Sequence, residues 1–275
     1  MPRFTIITVV RNDLAGLQRT RESIASQEAT DFSHLVIDGA STDGTREWLE
    51  SQPPAENFRW VSERDAGVYD AMNKGASMVD SGFIVFMNAG DTYIGRAALA
   101  NQQRAADRSR ARWGYSRAIV VNEDQRPVRP PFGLRRYSTF KHAYARVALC
   151  HQAVFVRKSV FDEIGGFEPN LYQEVADYAF LLDLGRRHKP VVLDTVDVAY
   201  LDGGISAINP HTQLLKHRAR AGVFAMRAHQ RALDYAFFLY SEGTARARRL
   251  IKRSVRRLGG DFLITRYASR GAWPS

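Results

Sequence analysis

Between residues 4 and 87 four short apolar runs alternate with three stretches of apolar residues at helical spacing, each entered through a polar turn. The apolar runs are "FTIITVV" (4–10), "HLVIDGA" (34–40), "FRWVSE" (58–63) and "FIVFM" (83–87). Each has the length and composition of a strand. The stretch from Asp13 to Gln27 sets Leu14, Leu17 and Ile24 on one helical face. "STDGTREWLES" offers Ser, Thr and Asp as capping groups ahead of Trp48 and Leu49, and "GVYDAMNKGASMV" follows the third run. Strands alternating with helices over short links predict an α/β fold with a mostly parallel sheet flanked by helices.

Beyond Asn101 the alternation weakens. "ADRSRARW" reads as a charged connector, "GYSRAIVV" as a strand and "EDQRPVRPPFGLRRY" as a loop rich in Pro and Arg. "HQAVFVRKSVFDEIGGF" predicts a strand, then a helix ended by Gly165–Gly166. "QEVADYAFLLDLGRR" predicts one helix, and "VVLDTVDVAYLDGGIS" a last strand and turn. The glycines of "LDGGIS" (201–206) suit a loop closing over a site, or simply a turn.

Composition adds two constraints. With 45% hydrophobic and 25% charged residues, the chain has the make-up of a folded soluble protein. The single cysteine, Cys150, rules out a disulfide framework and fits a reducing, cytoplasmic setting. No apolar run reaches membrane-spanning length. The formal charge of +10 is concentrated: residues 211–275 hold 14 Lys or Arg against Asp234, Glu242 and Asp261, and the rest of the chain is near neutral. Between Arg246 and Arg257 lie seven of these cations, with Ile251, Val255, Leu258 and Phe262 spaced as an apolar stripe. A basic amphipathic segment of this kind predicts contact with an anionic membrane surface over residues 241–262, peripheral and on the inner face. Nucleic acid is not expected, since the aromatics of "LDYAFFLY" cluster beside the charges rather than among them.

The candidate chemistry lies at the strand ends. Thr8 to Asn12, Asp38 to Asp43, Glu63 to Asp65 and Asn88 to Asp91 all bring polar groups to the edge where parallel sheets bind ligands. Taken singly, each is also an ordinary turn or capping group. Signatures of other classes are missing: no G-x-G-x-x-G, no P-loop, no G-x-S-x-G elbow and no paired-cysteine zinc spacing.

Five motifs, "VIDGASTDGT" (36–45), "SERDAGVYDAMNKG" (62–75), "FIVFMNAGD" (83–91), "CHQAVFVRKSVFDEIGGF" (150–167) and "ADYAFLL" (176–182), occur in an order that resembles the family 2 glycosyltransferases, with a flavour of the colanic-acid type. The resemblance covers residues 3–206. It implies a GT-A fold at 1–210, with a nucleotide-sugar-binding half (1–101) and an acceptor-binding half (102–210), followed by the basic helical tail at 211–275. It also implies inverting transfer of a sugar from a nucleoside diphosphate to a hydroxyl of a glycan or lipid-linked acceptor, with Mn²⁺ or Mg²⁺. A UDP-sugar is the favoured donor, with GDP or dTDP as alternatives. Carried over by position, Thr8, Arg11 and Asn12 meet the donor, Asp38 meets the nucleobase with Ser41 beside it, and Asp65, Asn73 and Lys74 form a second nucleotide-facing motif. Asp91 matches the last acid of the metal motif, with Asn88, Ala89 and Gly90 lining the donor, and Asp177 matches the general base. Many relatives carry "DADD" where this chain has "NAGD", so one carboxylate is left for the metal.

Elementary chemistry agrees with these assignments. A departing nucleoside diphosphate needs a cation, and Mg²⁺ commonly takes one or two carboxylates plus phosphate oxygens and water. Asp177, inside an apolar helix, is expected to have a pKa raised by burial, which would suit a base. Glu174 shares its face at a spacing of three, as alternative base or orienting residue. His151 and Gln152 open the strand of the acceptor half and are candidates for acceptor contact; a structural histidine is an equal reading. Neighbours on a strand face opposite ways, which excludes a Cys150–His151 catalytic pair. The competing functions are a non-catalytic GT-A-like binding protein and a nucleotidyltransferase.

Overall fold

The computed structural model describes residues 3–144, 149–203 and 211–236. It falls into two compact units, Met1–Val223 and Phe224–Ser275. In the second, the described residues 228–236 are helical, and the Arg227 backbone N–H donates to Gln230 Oε1 at 2.8 Å ahead of them. The basic stripe expected at 241–262 lies outside the described residues. No helix among the described residues is long and apolar enough to cross a membrane.

The first unit is built on an eight-stranded sheet ordered β3-β2-β1-β4-β7-β6-β8-β5. The strands β1 (Phe4–Val10), β2 (Phe32–Asp38), β3 (Phe58–Ser62) and β4 (Phe83–Phe86) are mutually parallel, and β7 (Val154–Arg157) joins β4 antiparallel. Beyond it come β6 (Trp113–Val121), β8 (Val191–Leu201) and the short β5 (Thr92–Tyr93). β1, β2 and β4 are buried along their whole length because both faces of the sheet are covered there. On β1 and β4, Ile7, Val9, Ile84 and Phe86 point into one core; Phe4, Ile6, Phe83 and Val85 point into the other. The first core is roofed by α3 (Val68–Ser77), α6 (Lys158–Ile164) and α8 (Ala176–Arg187), the second by α1 (Leu14–Ala25) and α4 (Ala98–Ser109). A Cβ at Gly75 would lie 2.5 Å from Ile7 and 3.1 Å from Ile37, so only a glycine lets α3 rest directly on the sheet.

The four early strands and their helices match expectation, with α2 at Thr45–Glu50. Three expectations are corrected. The first half of the "charged connector" (106–113) is the C-terminal end of α4, whose Ala98, Leu99, Gln102 and Ala106 are buried while its charges face solvent, and only residues 110–112 link α4 to β6. The helix over 173–187 is broken: Gln173–Val175 is a 3-10 turn, Gln173 has φ 52°, and α8 starts at Ala176. Residues His151–Ala153 form another 3-10 turn ahead of β7 rather than the start of a strand. Sequence reading gave no element to α5 (Thr139–Tyr144) or α7 (Pro169–Tyr172), and α9 (Thr212–Val223) packs on α8.

A candidate active site at the strand ends

A cleft of about 630 Å³ opens beside the carboxyl end of β4, lined by Asn88, Ala89, Asp91, His151, Gln152, Glu174 and Asp177, with Tyr69 and Asp70 from α3 and Tyr200 to Gly203 from the end of β8. Residues far apart in sequence therefore meet in one cavity. Local folding explains each placement.

The turn after β4 is pinned from below. Gly90 has φ 92°, its N–H donates to Thr20 Oγ1 at 3.0 Å, and Thr20 Oγ1 donates to the Asp91 carbonyl at 2.8 Å. A Cβ at Gly90 would also meet Leu201 at 3.0 Å. Asp91 is 3% exposed. Its Oδ1 accepts from the Leu201 N–H at 2.9 Å and its Oδ2 from Gln152 Nε2 at 2.6 Å. Gln152 is aimed in turn by Cys150, whose Sγ–H donates to Gln152 Oε1 at 2.9 Å. Burial pushes Asp91 up to about 6; the Leu201 and Gln152 hydrogen bonds oppose this, and Asp13 adds to it.

Opposite lies Asp177, at the first turn of α8. Its Oδ1 accepts from the Tyr69 hydroxyl at 3.0 Å and from the Tyr178 N–H at 2.8 Å. Its Oδ2 pairs with His151 Nδ1 at 3.0 Å. Burial acts to raise Asp177, but the hydrogen bond and charge of His151, with the Tyr69 and Tyr178 hydrogen bonds, hold it below the ordinary carboxylate range. The expectation of a raised pKa is thus corrected, because burial came with partners. Packed rings (Phe86, Phe161, Phe167 and Phe180, with centroids 5.1–5.6 Å apart) tie α6 and α8 to the sheet beneath this corner.

Among the described residues no group of three or more His, Cys, Asp or Glu side chains could hold a metal ion. An amide oxygen alters that picture. Asn88 Oδ1 is buried and receives no hydrogen bond, while its Nδ2 sits 3.4 Å from His151 Nε2. An unpaired carbonyl oxygen and a carboxylate ionised at a cost, on the same turn, suit a cation that prefers oxygen and completes its shell with phosphate and water. The residues present therefore fit Mg²⁺ or Mn²⁺.

The other expected donor residues form a second group, at the ends of β1 to β3. Asp38 is fully buried; it accepts from Ser41 Oγ at 2.5 Å and Ser62 Oγ at 2.6 Å and does not line the cleft. Asn12 (φ 53°) donates its N–H to Ser41 Oγ and accepts from the Thr42 N–H, so Asn12, Asp38 and Ser41 knit the loop together. Asp65 Oδ1 accepts from the Gly67 N–H at the rim of the cleft, and Oδ2 occupies the space that a Cβ at Gly39 would fill, with Arg11 alongside. Three residues do not line the cleft and have partners elsewhere. Thr8 is fully buried and pairs with His34 at 2.9 Å. Asn73 holds the Phe167 backbone through two hydrogen bonds, at 2.8 and 3.0 Å. Lys74 pairs with Glu63 at 2.9 Å and the Arg64 carbonyl. Conversely, Tyr69 and Tyr200 line the cleft without having been singled out in the sequence. Tyr69 stood within a quoted motif; burial and nearby Asp91 push Tyr200 up to about 12.

Residues 5–165 match the profile described as glycosyl transferase family 2. The chain belongs to this family. An uncharacterized glycosyltransferase of Mycobacterium tuberculosis is 30% identical over 227 residues, covering 81% of this chain and 80% of the relative. A PGL/p-HBAD biosynthesis glycosyltransferase of Mycobacterium bovis is also 30% identical, over 65% of this chain and 68% of its own. Among solved structures, S. aureus TarS 1–349 in complex with UDP-GlcNAc superposes with a TM-score of 0.63 at 16% identity, covering 86% of this chain and 71% of that one. The mannosyltransferase PcManGT from Pyrobaculum calidifontis, in complex with GDP-Man and Mn²⁺, gives 0.62 at 18% identity, over 98% and 80%. These likenesses show the GT-A fold.

Proposed function

We propose that this glycosyltransferase moves a hexose, with inversion, from a nucleoside-diphosphate sugar to a hydroxyl of a glycan or lipid-linked acceptor. The observation that carries the reading is the placement of the Asn88–Asp91 turn and the Asp177–His151 pair on one cleft. The turn is where a divalent cation, Mn²⁺ or Mg²⁺, would be held by Asp91 and Asn88 Oδ1; when bound it neutralises the charge of the leaving diphosphate. Asp65 and Arg11, beside the rim, would bind the nucleoside. The pair across the cleft would remove the proton of the attacking hydroxyl, an effect typically worth ~10²–10⁴-fold in rate. Inversion would follow because the acceptor oxygen attacks the anomeric carbon on the face opposite the departing diphosphate.

A UDP-sugar is the favoured donor; GDP-mannose, seen bound to a structural neighbour, is the alternative. The PGL/p-HBAD relative favours a glycolipid acceptor, which would set the reaction at the cytoplasmic face of a membrane. Residues 241–262 are the part of the chain suited to anionic lipid. Vesicle binding should then vanish on deleting 241–275, and undiminished binding would refute that part. The transfer reading is tested by incubating the protein and Mn²⁺ with UDP-, GDP- and dTDP-sugars. Slow release of one nucleoside diphosphate, even without acceptor, is expected. Release from none would favour a non-catalytic binding protein.

A further inference from the structure

The proposed transfer fixes where the donor sugar must lie. Its anomeric carbon is bonded to the diphosphate that the Asn88–Asp91 turn would hold, and the acceptor reaches it from the Asp177 side. The hexose therefore spans the cleft between these two corners. Several polar side chains along that span are already committed. Tyr69 donates its hydroxyl to the Glu174 carbonyl and to Asp177 Oδ1. Gln152 serves Asp91 and Cys150, and Asp202 pairs with Arg129 at 3.4 Å. Tyr200 is placed differently. Its ring is half-buried against the second core, while its hydroxyl opens to the cleft and makes no hydrogen bond among the described residues.

Strand register sets the ring. Tyr200 pairs with Val120 of β6, and Phe132 bridges to Ala118 two positions earlier on the same strand. Paired residues share a face of a sheet, as do positions two apart. Tyr200 and Phe132 therefore stand on one face, on either side of β6, with the small Ala118 between them, and both line the cleft. The next residue, Leu201, gives the N–H that holds Asp91 at 2.9 Å, so one peptide link ties the ring to the turn expected to hold the cation. Beyond the ring's own burial, the charges of Asp91 and Asp177 press on the hydroxyl and keep it protonated. It can donate to a sugar hydroxyl or accept from one.

We propose that Tyr200 selects the donor sugar: its ring, with Phe132, packs on a C–H face of the hexose, and its hydroxyl hydrogen-bonds one hydroxyl of that sugar. The proposal rests on the glycosyl-transfer reading of the cleft. Tyr200 lies beyond residues 5–165, the span that matches the family, so the shared motifs do not supply this group. Aromatic packing accepts many hexoses, whereas a polar group left unpaired by the wrong sugar rejects it.

The experiment crosses one substitution with changes in the donor. The full chain and Tyr200→Phe are compared, with Mn²⁺ and with water as acceptor, on UDP-GlcNAc, GDP-mannose and analogues of each lacking one sugar hydroxyl. Nucleoside diphosphate release gives kcat/KM, and calorimetry with UDP and GDP gives nucleotide affinity. Phenylalanine keeps the ring and its packing, so nucleotide affinity should stay within about threefold of wild type. On the better intact donor the variant should lose about 10–100-fold in kcat/KM. One deoxy analogue should cost wild type as much, and on that analogue alone variant and wild type should agree, because the bond is already gone. Wild-type turnover of the intact donor by Tyr200→Phe, or an equal loss on the intact donor and every analogue, would overturn the proposal. A wild-type protein that releases no nucleoside diphosphate from either donor would remove the transfer reading, and the proposal with it, a result distinct from both.

Discussion

Asp91 gives the most quantitative handle on the site. Its carboxylate is 3% exposed and is pushed up to about 6, chiefly by burial. A folded-state pKa above the unfolded value makes the protonated form the stabilising one. That stability is complete below the ordinary carboxylate range and is lost as pH rises through about 6. The shift corresponds to about 3 kcal/mol in all, of which about half is incurred between roughly pH 5 and pH 8. Asp91→Asn removes the ionisation and keeps the shape. Its amide oxygen can still accept from Leu201, but its NH₂ would confront Gln152 Nε2, so the Gln152 amide must turn and give up the Cys150 Sγ–H. That rearrangement costs about 1 kcal/mol and does not depend on pH. Urea unfolding in EDTA should therefore show the variant gaining about 1.5 kcal/mol on wild type between roughly pH 5 and pH 8. A difference that stays constant with pH, or moves the other way, would refute the account of Asp91.

The same ionisation governs the cation. Mn²⁺ affinity, read by calorimetry in the presence of UDP, should weaken as pH falls below about 6, by up to tenfold per pH unit as one proton competes for Asp91; flat affinity down to about pH 5 would exclude Asp91 as a ligand. Gly75→Ala should cost about 1–3 kcal/mol in urea unfolding, because its Cβ would fall 2.5 Å from Ile7. Tyr69→Phe removes one of the hydrogen bonds on Asp177 Oδ1. It should lower donor turnover about tenfold with nucleotide affinity unchanged, and equal losses in both would show that Tyr69 supports the fold rather than the reaction.

The parallel half of the sheet could be read from the chain because its signal is local. Apolar runs such as Phe83–Met87 end in polar turns, and β1, β2 and β4 are buried on both faces. Position in a motif did not reveal which way a side chain points. Thr8 ends up facing His34 across β1 and β2 on the sheet face that α3 does not cover, and Asn73 of α3 clamps the Phe167 backbone of a distant loop. The pairing of His151 and Gln152 with the cleft depended on a 3-10 turn of three residues, too short to leave a periodic trace. The Leu201 N–H that fixes Asp91 is a backbone group 110 positions away, and no side-chain pattern announces it. Asp177 shows the physics most clearly. Burial alone predicts a raised pKa, yet the fold supplies three hydrogen-bond donors that reverse it.

The central claim is a nucleotide-sugar site completed by a cation on Asp91, and titration calorimetry tests it most directly. UDP, GDP and dTDP would be titrated into the protein with Mn²⁺ and again with EDTA, alongside Asp91→Ala. One nucleotide should bind tightly, with affinity lost both in EDTA and in the variant. Binding that ignores EDTA and the substitution would contradict the cation's place on Asp91, and no binding of any nucleotide would contradict the donor site itself.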